Sequence, residues 1–306
     1  MRRLVIVLLL TATAFAASSG LQSRLERMAV QHQGKVALYA KNLKTGDTVA
    51  IDADRPVKTA SVIKLPVMIE AFYQVKAGKH RLDEKITLTK ENQVLGSGVL
   101  PFLDPGLQLT LKDAITLMMI VSDNTGTNLV IDAVGIPAVN ERIKAMGLKN
   151  TWLYKKVYLP PTGEAPPDQK QFGLGKTTAR EMAEIMASVQ RCDLGDRKLC
   201  DLMIGIMRNQ QYRNMIPHYI ETVDTSEIPS AICDKVGALD AVRNDVALVQ
   251  SKSGPLVISI FTYDNKDQTW IAENQAEQLI AKMAKLIVDT WSPEGLQVVM
   301  AEKPRD

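Results

Sequence analysis

Strand-like sequence in this chain lies at its two ends. Near the front, Lys35–Asn42 and Thr48–Asp52 read as short strands joined by Lys44-Thr-Gly-Asp, a hairpin-like turn. Strand character returns only at Ala231–Val236, Asp245–Gln250 and Leu256–Thr262. Between them the pattern is helix and loop. Strands must pair to satisfy their backbone groups, so the two ends have to meet in one sheet. The expected class is therefore α/β (α+β): an antiparallel sheet built from N- and C-terminal segments, flanked by helices, with an inserted all-helical lobe. Residues 17–58 and 220–306 would form the α/β lobe and 59–219 the helical lobe, together one catalytic unit. An amphipathic helix over 21–33 and a long one over 268–291 complete the sheet lobe. No internal repeat is present.

With 306 residues the chain has ample material for a core, and 46% hydrophobic against 23% charged residues is an ordinary soluble globular balance. The first residues stand apart. Arg2 and Arg3 precede an apolar run from Leu4 to Leu10, followed by small residues and Ala14-Phe15-Ala16. This pattern predicts a secretory signal peptide over 1–16, cleaved after Ala16, and hence a periplasmic or secreted protein. No stretch is long enough to span a bilayer, and no cysteine near the cleavage site suggests a lipid anchor. Without Arg2 and Arg3 the 37 basic residues fall to 35 against 34 acidic ones, a net charge of +1 that offers no face for nucleic acid. Export permits disulfides, and Cys192 and Cys200 flank a short polar loop between helical patterns, so they are expected to pair. Cys233 would remain a buried thiol in a strand. No Cys/His cluster has metal-ligand spacing, so neither metal nor cofactor is expected.

Within the helical lobe, residues 59–77 carry apolar side chains at Val62, Leu65, Ile69, Phe72 and Tyr73, the period of a helix with one buried face, and Gly78 supplies its stop. Residues 79–109 are loop-rich, with turn signals at Gly96-Ser97-Gly98 and Asp104-Pro-Gly. Thr110-Leu-Lys-Asp113 opens a very apolar helix that ends at Ser122-Asp123-Asn124. Further helices begin near Gly126 and at Pro137, the latter stopping at Gly147. Residues 155–176 lack apolar periodicity and carry Pro160, Pro161, Pro166 and Pro167, the composition of a functional or disordered loop. Thr178-Ala-Arg-Glu181 is a capping box, and a partner helix covers about 198–209.

Ser61 and Lys64 stand three residues apart on one helix face. A serine hydroxyl becomes a nucleophile when a base takes its proton, and a desolvated lysine can be that base. Backbone N–H groups of a first helical turn lack helical partners and can face a developing oxyanion. Ser-x-x-Lys alone is commonly a surface turn, and Ser122-Asp123-Asn124 alone a helix-ending turn. A Ser hydroxyl and an Asn amide held by a rigid helix end can also relay a proton and hold a substrate amide. Lys235-Val236-Gly237 ends a strand, where a cation and a close-approach glycine suit an extended substrate.

Together, Ser61-x-x-Lys64, Ser122-Asp-Asn124 and Lys235-x-Gly237 resemble the three motifs of class A β-lactamases and related penicillin-recognising serine hydrolases. The resemblance extends to Thr59–Pro66, Gly96-Ser-Gly-Val-Leu100, Leu117–Leu129, Gly175–Met182 and Arg243-Asn-Asp-Val246, nearly the whole of residues 21–291. It implies a β-lactamase/transpeptidase-like fold in which Ser61 is the acylated nucleophile and Lys64 its general base. Ser122 would pass the proton to the leaving nitrogen and Asn124 would hold the substrate's side-chain amide. Lys235 would attract the carboxylate, Gly237 would let the substrate approach, and the N–H groups of Ser61 and Ala238 would form the oxyanion hole. Arg243 matches a position where many members carry a carboxylate-binding arginine.

Two departures from the family pattern matter. Val236 stands where Thr or Ser is usual, removing a hydroxyl donor worth on the order of 1–3 kcal/mol of carboxylate recognition. Family members activate the deacylating water with a Glu in a Glu-Pro-x-x-Asn pattern, and this loop offers Glu164-Ala-Pro-Pro-Asp168 instead. Glu164 is the candidate for that role. The implied protein is a monomeric hydrolase of β-lactams that would confer antibiotic resistance. The alternatives are a D-Ala-D-Ala carboxypeptidase or esterase acting on acyl-peptide or ester substrates, and a non-turnover penicillin- or peptidoglycan-binding protein. Other catalysts fit less well. Gly173-Leu-Gly-Lys-Thr177 lacks the first glycine of a phosphate loop, and His32, His80 and His218 accompany no Gly-x-Ser-x-Gly. Met118, Met119 and Met182 read as core.

Overall fold

The computed structural model describes residues 20–162, 166–221 and 229–298; the expected signal peptide and Glu164 lie outside them. A helix α1 (20–31) leads into β1 (Lys35–Asn42) and β2 (Thr48–Ile51). The chain returns to the sheet as β8 (Ile232–Leu239), β9 (Val242–Ser251) and β10 (Gly254–Tyr263), then closes with α9 (Gln275–Trp291). The order is β2-β1-β10-β9-β8, antiparallel throughout, with Lys35 opposite Tyr263 across the join of the two ends. This is the sheet that the distribution of strand patterns requires. Successive side chains point to opposite faces, and here both faces are apolar. Leu38, Val249 and Ile258 meet Leu25, Ile280 and Ile287 from α1 and α9 on one face. Ala37, Leu248 and Phe261 face the helical lobe on the other. α9 is shorter than its periodicity suggests, because the Asn274 side chain accepts from the N–H groups of Ala276 and Glu277 and caps the helix there.

A second, small sheet of β3 (Val57–Lys58), β6 (Trp152–Leu153) and β7 (Gly175–Thr177) joins the lobes, and β4 (Lys85–Thr87) pairs with β5 (Gln108–Thr110). These strands of two or three residues are too short to show a period in sequence. The helices of the middle are α2 (Lys64–Lys76), α3 (Leu111–Ile120), α4 (Asn124–Val134), α5 (Ile136–Ala145), α6 (Gln169–Phe172), α7 (Ala179–Arg191) and α8 (Arg197–Arg208). α2 is the centre of the lobe. Leu65 to Phe72 are all buried, Glu70 included, so the helix is covered on every side rather than along one face. Glu70 is matched by Arg142 at 3.0 Å and by Gln74 at 2.8 Å.

Local signals place the helix ends. Thr110 and Asp113 form a reciprocal capping box on α3. Thr178 caps α7 through Glu181 N–H, but the Glu181 carboxylate turns away to Asn150 N–H and the Thr151 hydroxyl, tying β6 to α7. Cys192 ends α7 in a left-handed conformation and bonds Cys200 of α8 across a separation of eight residues, while Cys233 is a buried free thiol. Closing so short a loop constrains the unfolded chain by about 2–3 kcal/mol in the chain-entropy account. Reduction, or the pair Cys192→Ser and Cys200→Ser, is therefore expected to lower the unfolding free energy by about that much. Denaturant titration with and without dithiothreitol measures it, and coincident curves would remove the bond from the stability of the fold.

Candidate active site

Ser61 does not lie in α2 itself. It sits in a 3₁₀ turn, Ala60–Ile63, that leads into α2, so Lys64 is the first residue of the α-helix. Ala60, directly before the serine, has φ of 45°, a region that non-glycine residues enter only when their surroundings impose it. The imposing element is β8. A Cβ built on Gly237 would lie 2.9 Å from both Ser61 N and Thr59 O, so only glycine lets strand and turn meet. Asn244 on the neighbouring strand donates to Lys58 O at 3.0 Å and Thr59 O at 3.1 Å, holding the turn from below. Ser61 remains partly open to solvent.

The three motifs converge on one hydroxyl. Lys64 Nζ donates to Ser122 O at 2.7 Å, and lies 3.1 Å from both Ser122 Oγ and Asn124 Oδ1. Lys235 Nζ is 3.1 Å from the same Ser122 Oγ and donates to Val236 O at 2.8 Å. Both lysines are fully buried. Desolvation, reinforced by the Lys235 charge, drives the Lys64 pKa well below its ordinary value. Desolvation brings Lys235 down to about 8, opposed by the nearby Asp234 and Asp245. Burial thus favours the neutral form of Lys64, while Lys235, near 8, is charged at neutral pH, the pairing that a base and an anion-attracting group need.

Ser122 is held in a left-handed conformation, φ 55°, between α3 and α4. The loop before it explains how. Asp123 caps α4 through Gly126 N–H and takes the N–H groups of Val99 and Leu100 on its other oxygen, at 2.6 and 2.8 Å. Gly98, at φ 109°, passes so close that a Cβ would fall 2.2 Å from Asp123 Oδ2. Ser97 Oγ donates to Ser122 O at 2.7 Å, and Asn124 Nδ2 donates to Leu95 O at 3.2 Å. The supporting roles of Asp123 and Ser97 went unassigned from sequence; the paired glycines around Ser97 were the available signal.

The proline-bearing loop is pinned where Asn128 donates to Val157 O at 3.1 Å and accepts from Val157 N–H at 2.8 Å. Asp168, the one described acidic residue between 154 and 176, is held by Lys176 at 2.6 Å. Arg243 departs from the expectation of a substrate-facing cation. Adjacent strand residues point to opposite faces, and since Asn244 faces the Ser61 turn, Arg243 turns toward α9. There it donates to Glu277 at 2.9 Å, Leu239 O at 2.5 Å and Thr269 O at 2.6 Å, fully buried under Trp270. It braces the β8–β9 turn. Val236 likewise faces that side, in the apolar cluster of Ile216 and Ile232. Among the described residues, no group of His, Cys, Asp and Glu side chains could hold a metal ion, and no helix is long and apolar enough to cross a membrane.

Residues 20–291 match the family described as the β-lactamase enzyme family. The chain belongs to this family. It is 23% identical to β-lactamase PSE-4 of Pseudomonas aeruginosa, over 94% of this chain and 97% of that protein. A β-lactamase crystal structure from Sphaerobacter thermophilus shares 28% identity over 90% of this chain and 97% of its own, with a TM-score of 0.75. PBP-A, 22% identical over 88% of this chain and 94% of its own with a TM-score of 0.72, shows the same fold. The fold class and the kind of enzyme, a β-lactamase-like serine hydrolase, follow from membership.

Two outcomes are expected of this geometry. Gly237→Ala should separate β8 from the Ser61 turn and slow acylation by a penicillin about 10²-fold, as misplacement by about an ångström does; stopped-flow acylation at the native rate would show that the turn can yield. Because the Lys235 pKa is lowered, its charge is present below about pH 8 and lost above it. Acylation by an anionic penicillin should therefore decline above about pH 8, and a rate sustained well into the alkaline range would take the attraction of the carboxylate away from Lys235.

Proposed function

We propose that the protein opens β-lactam rings through an acyl-Ser61 intermediate. The observation that carries this reading is the pair of buried lysine amines 3.1 Å from one Ser122 hydroxyl. Lys64, whose neutral form burial favours, takes the Ser61 proton as the hydroxyl attacks the lactam carbonyl, and the N–H groups of Ser61 and Ala238 receive the oxyanion. The proton passes through Ser122 to the departing nitrogen. Asn124 holds the acyl amide, and Lys235 attracts the carboxylate and orients Ser122. β8 is the outer strand of the sheet, so an extended substrate can lie along its edge past Gly237 and Ala238. We further read the N-terminal pattern as a signal peptide, the compartment as periplasm or exterior, the protein as a monomer without membrane anchor, and its role as protection from β-lactam antibiotics.

A second reading is favoured by the loop. Its one described acidic residue, Asp168, is engaged by Lys176, which leaves the activation of water to Glu164 or to no carboxylate of this segment. A site that acylates and deacylates slowly would act as a penicillin-binding peptidase or esterase. PBP-A is relevant here, since a mutant of it is known as an acyl-enzyme complex with penicillin G.

Intact-protein mass spectrometry during reaction with benzylpenicillin tests both. We expect a one-drug adduct that forms and then disappears as product accumulates, and no adduct with Ser61→Ala. A persistent adduct selects the second reading, and undiminished labelling of Ser61→Ala would sink the nucleophile.

A further inference from the structure

Away from the serine, α2, α5, α7 and the first turns of α8 enclose a hollow of about 280 Å³. At the volume each molecule occupies in liquid water, that is room for about nine waters. Protein interiors leave few voids larger than one. The floor is apolar, made by Ile69 of α2, Met146 at the end of α5, Val189 of α7, and Leu194 and Met203. Neither Ser61, Lys64 and Ser122 nor Asn124 and Lys235 line it, so it is separate from the site described above. Methionine side chains adapt readily to irregular space, yet Met146 and Met203 leave this space open.

Fixed contacts hold its rim. The loop between α7 and α8 is tied to α8 by the Cys192–Cys200 disulfide and to α2 by Lys76, which donates to Leu194 O at 2.5 Å. Arg191 binds Glu184 at 2.5 Å and Asp193 at 2.8 Å, so the two acids of the rim are already matched. Arg142 is matched on one side only. Its Nε donates to Glu70 at 3.0 Å and its guanidinium lies 3.6 Å from the centre of the Tyr73 ring, which together fix the group. Its Nη1 and Nη2 have no hydrogen-bond partner among the described residues. Neutralising the buried Glu70 explains one nitrogen of Arg142 and leaves two unexplained. A planar fork held rigid at the edge of an apolar hollow matches the two oxygens of a carboxylate. We propose that this hollow binds a small apolar carboxylic acid, with an aryl or branched-alkyl body on the floor and its carboxylate on Arg142. The volume suits a body and head of about ten non-hydrogen atoms. A neutral molecule of the same shape fills the floor and leaves the fork unpaired. The proposal is independent of the chemistry at Ser61.

Benzoate and benzyl alcohol, titrated into the protein carrying ¹³C-methyl methionine and followed by NMR, test it. Benzoate should move the methyl resonances of Met146 and Met203 and leave that of Met118, on α3 and outside the hollow, in place. Its dissociation constant should be on the order of 1 mM, with benzyl alcohol about tenfold weaker. Arg142→Lys keeps a cation for Glu70 but not the fork, and should weaken benzoate about tenfold while leaving benzyl alcohol unchanged. Ala145→Phe, at an exposed position of α5 on the mouth of the hollow, should block both probes and melt close to wild type. Stationary Met146 and Met203 resonances at saturating benzoate would overturn the site. Equal affinity for the two probes would remove the carboxylate from the proposal and overturn it in this form. Shifts that persist unchanged in both variants would place the probe elsewhere and overturn it as well.

Discussion

Two amines are buried within 3.1 Å of one hydroxyl, and most of the architecture around the site exists to make that tolerable. A charged amine without water is costly unless its donors are used. Lys64 offsets this by hydrogen bonding to Ser122 and Asn124, and its burial shifts the balance toward the neutral form. Lys235 keeps its charge at neutral pH because Asp234 and Asp245 lie nearby. These two carboxylates are buried as well, and burial pushes Asp245 up to about 7 and Asp234 well above its ordinary range. Arg213 stands 3.7 Å from Asp234, and Ile216 N–H reaches Asp245 at 2.9 Å. The charge seen by a substrate at Lys235 is thus set by groups elsewhere on the same two strands.

Position follows from contacts that tolerate no extra atom. Gly237 against the Ser61 turn and Gly98 against Asp123 are both places where a methyl group would collide with fixed backbone or carboxylate. Left-handed residues flank the same points: Ala60 before Ser61, and Ser122 itself. Backbone strain and missing side chains therefore mark one surface, where strand edge, helix end and loop are pressed together. A rigid helix, buried all round, stands behind it and keeps Lys64 in place.

The sheet and the larger helices were legible because long segments carry a period, and because strand patterns at opposite ends leave few topologies. The convergence of Lys64, Ser122, Asn124 and Lys235 was legible because the three motifs keep their spacing. What could not be read depends on which way a side chain turns. Arg243 and Asn244 are adjacent, and nothing in their order says which faces the serine; the pleat and Glu277 decide it. Strands such as β3 and β6 are two residues long and exist only because β7 lies between them. Glu181 looked like the second half of a capping box and instead ties down residues 149–151, a choice made by partners some 30 residues away.

The join between β1 and β10 has a consequence for how the chain acquires its structure. Lys35 waits for Tyr263, so the centre of the sheet cannot close until almost the entire polypeptide exists. Long-range pairing of this kind carries a large loop-closure entropy and folds slowly compared with local structure. Until then, β1 has only β2 to pair with, and the apolar face of α1 lacks the C-terminal strands and α9 that cover it. Any handling that requires an unfolded polypeptide, threading through a narrow channel for example, has a built-in interval in which to act. The same interval leaves unpaired strand edges exposed, so synthesis and closure are kinetically coupled by the topology itself.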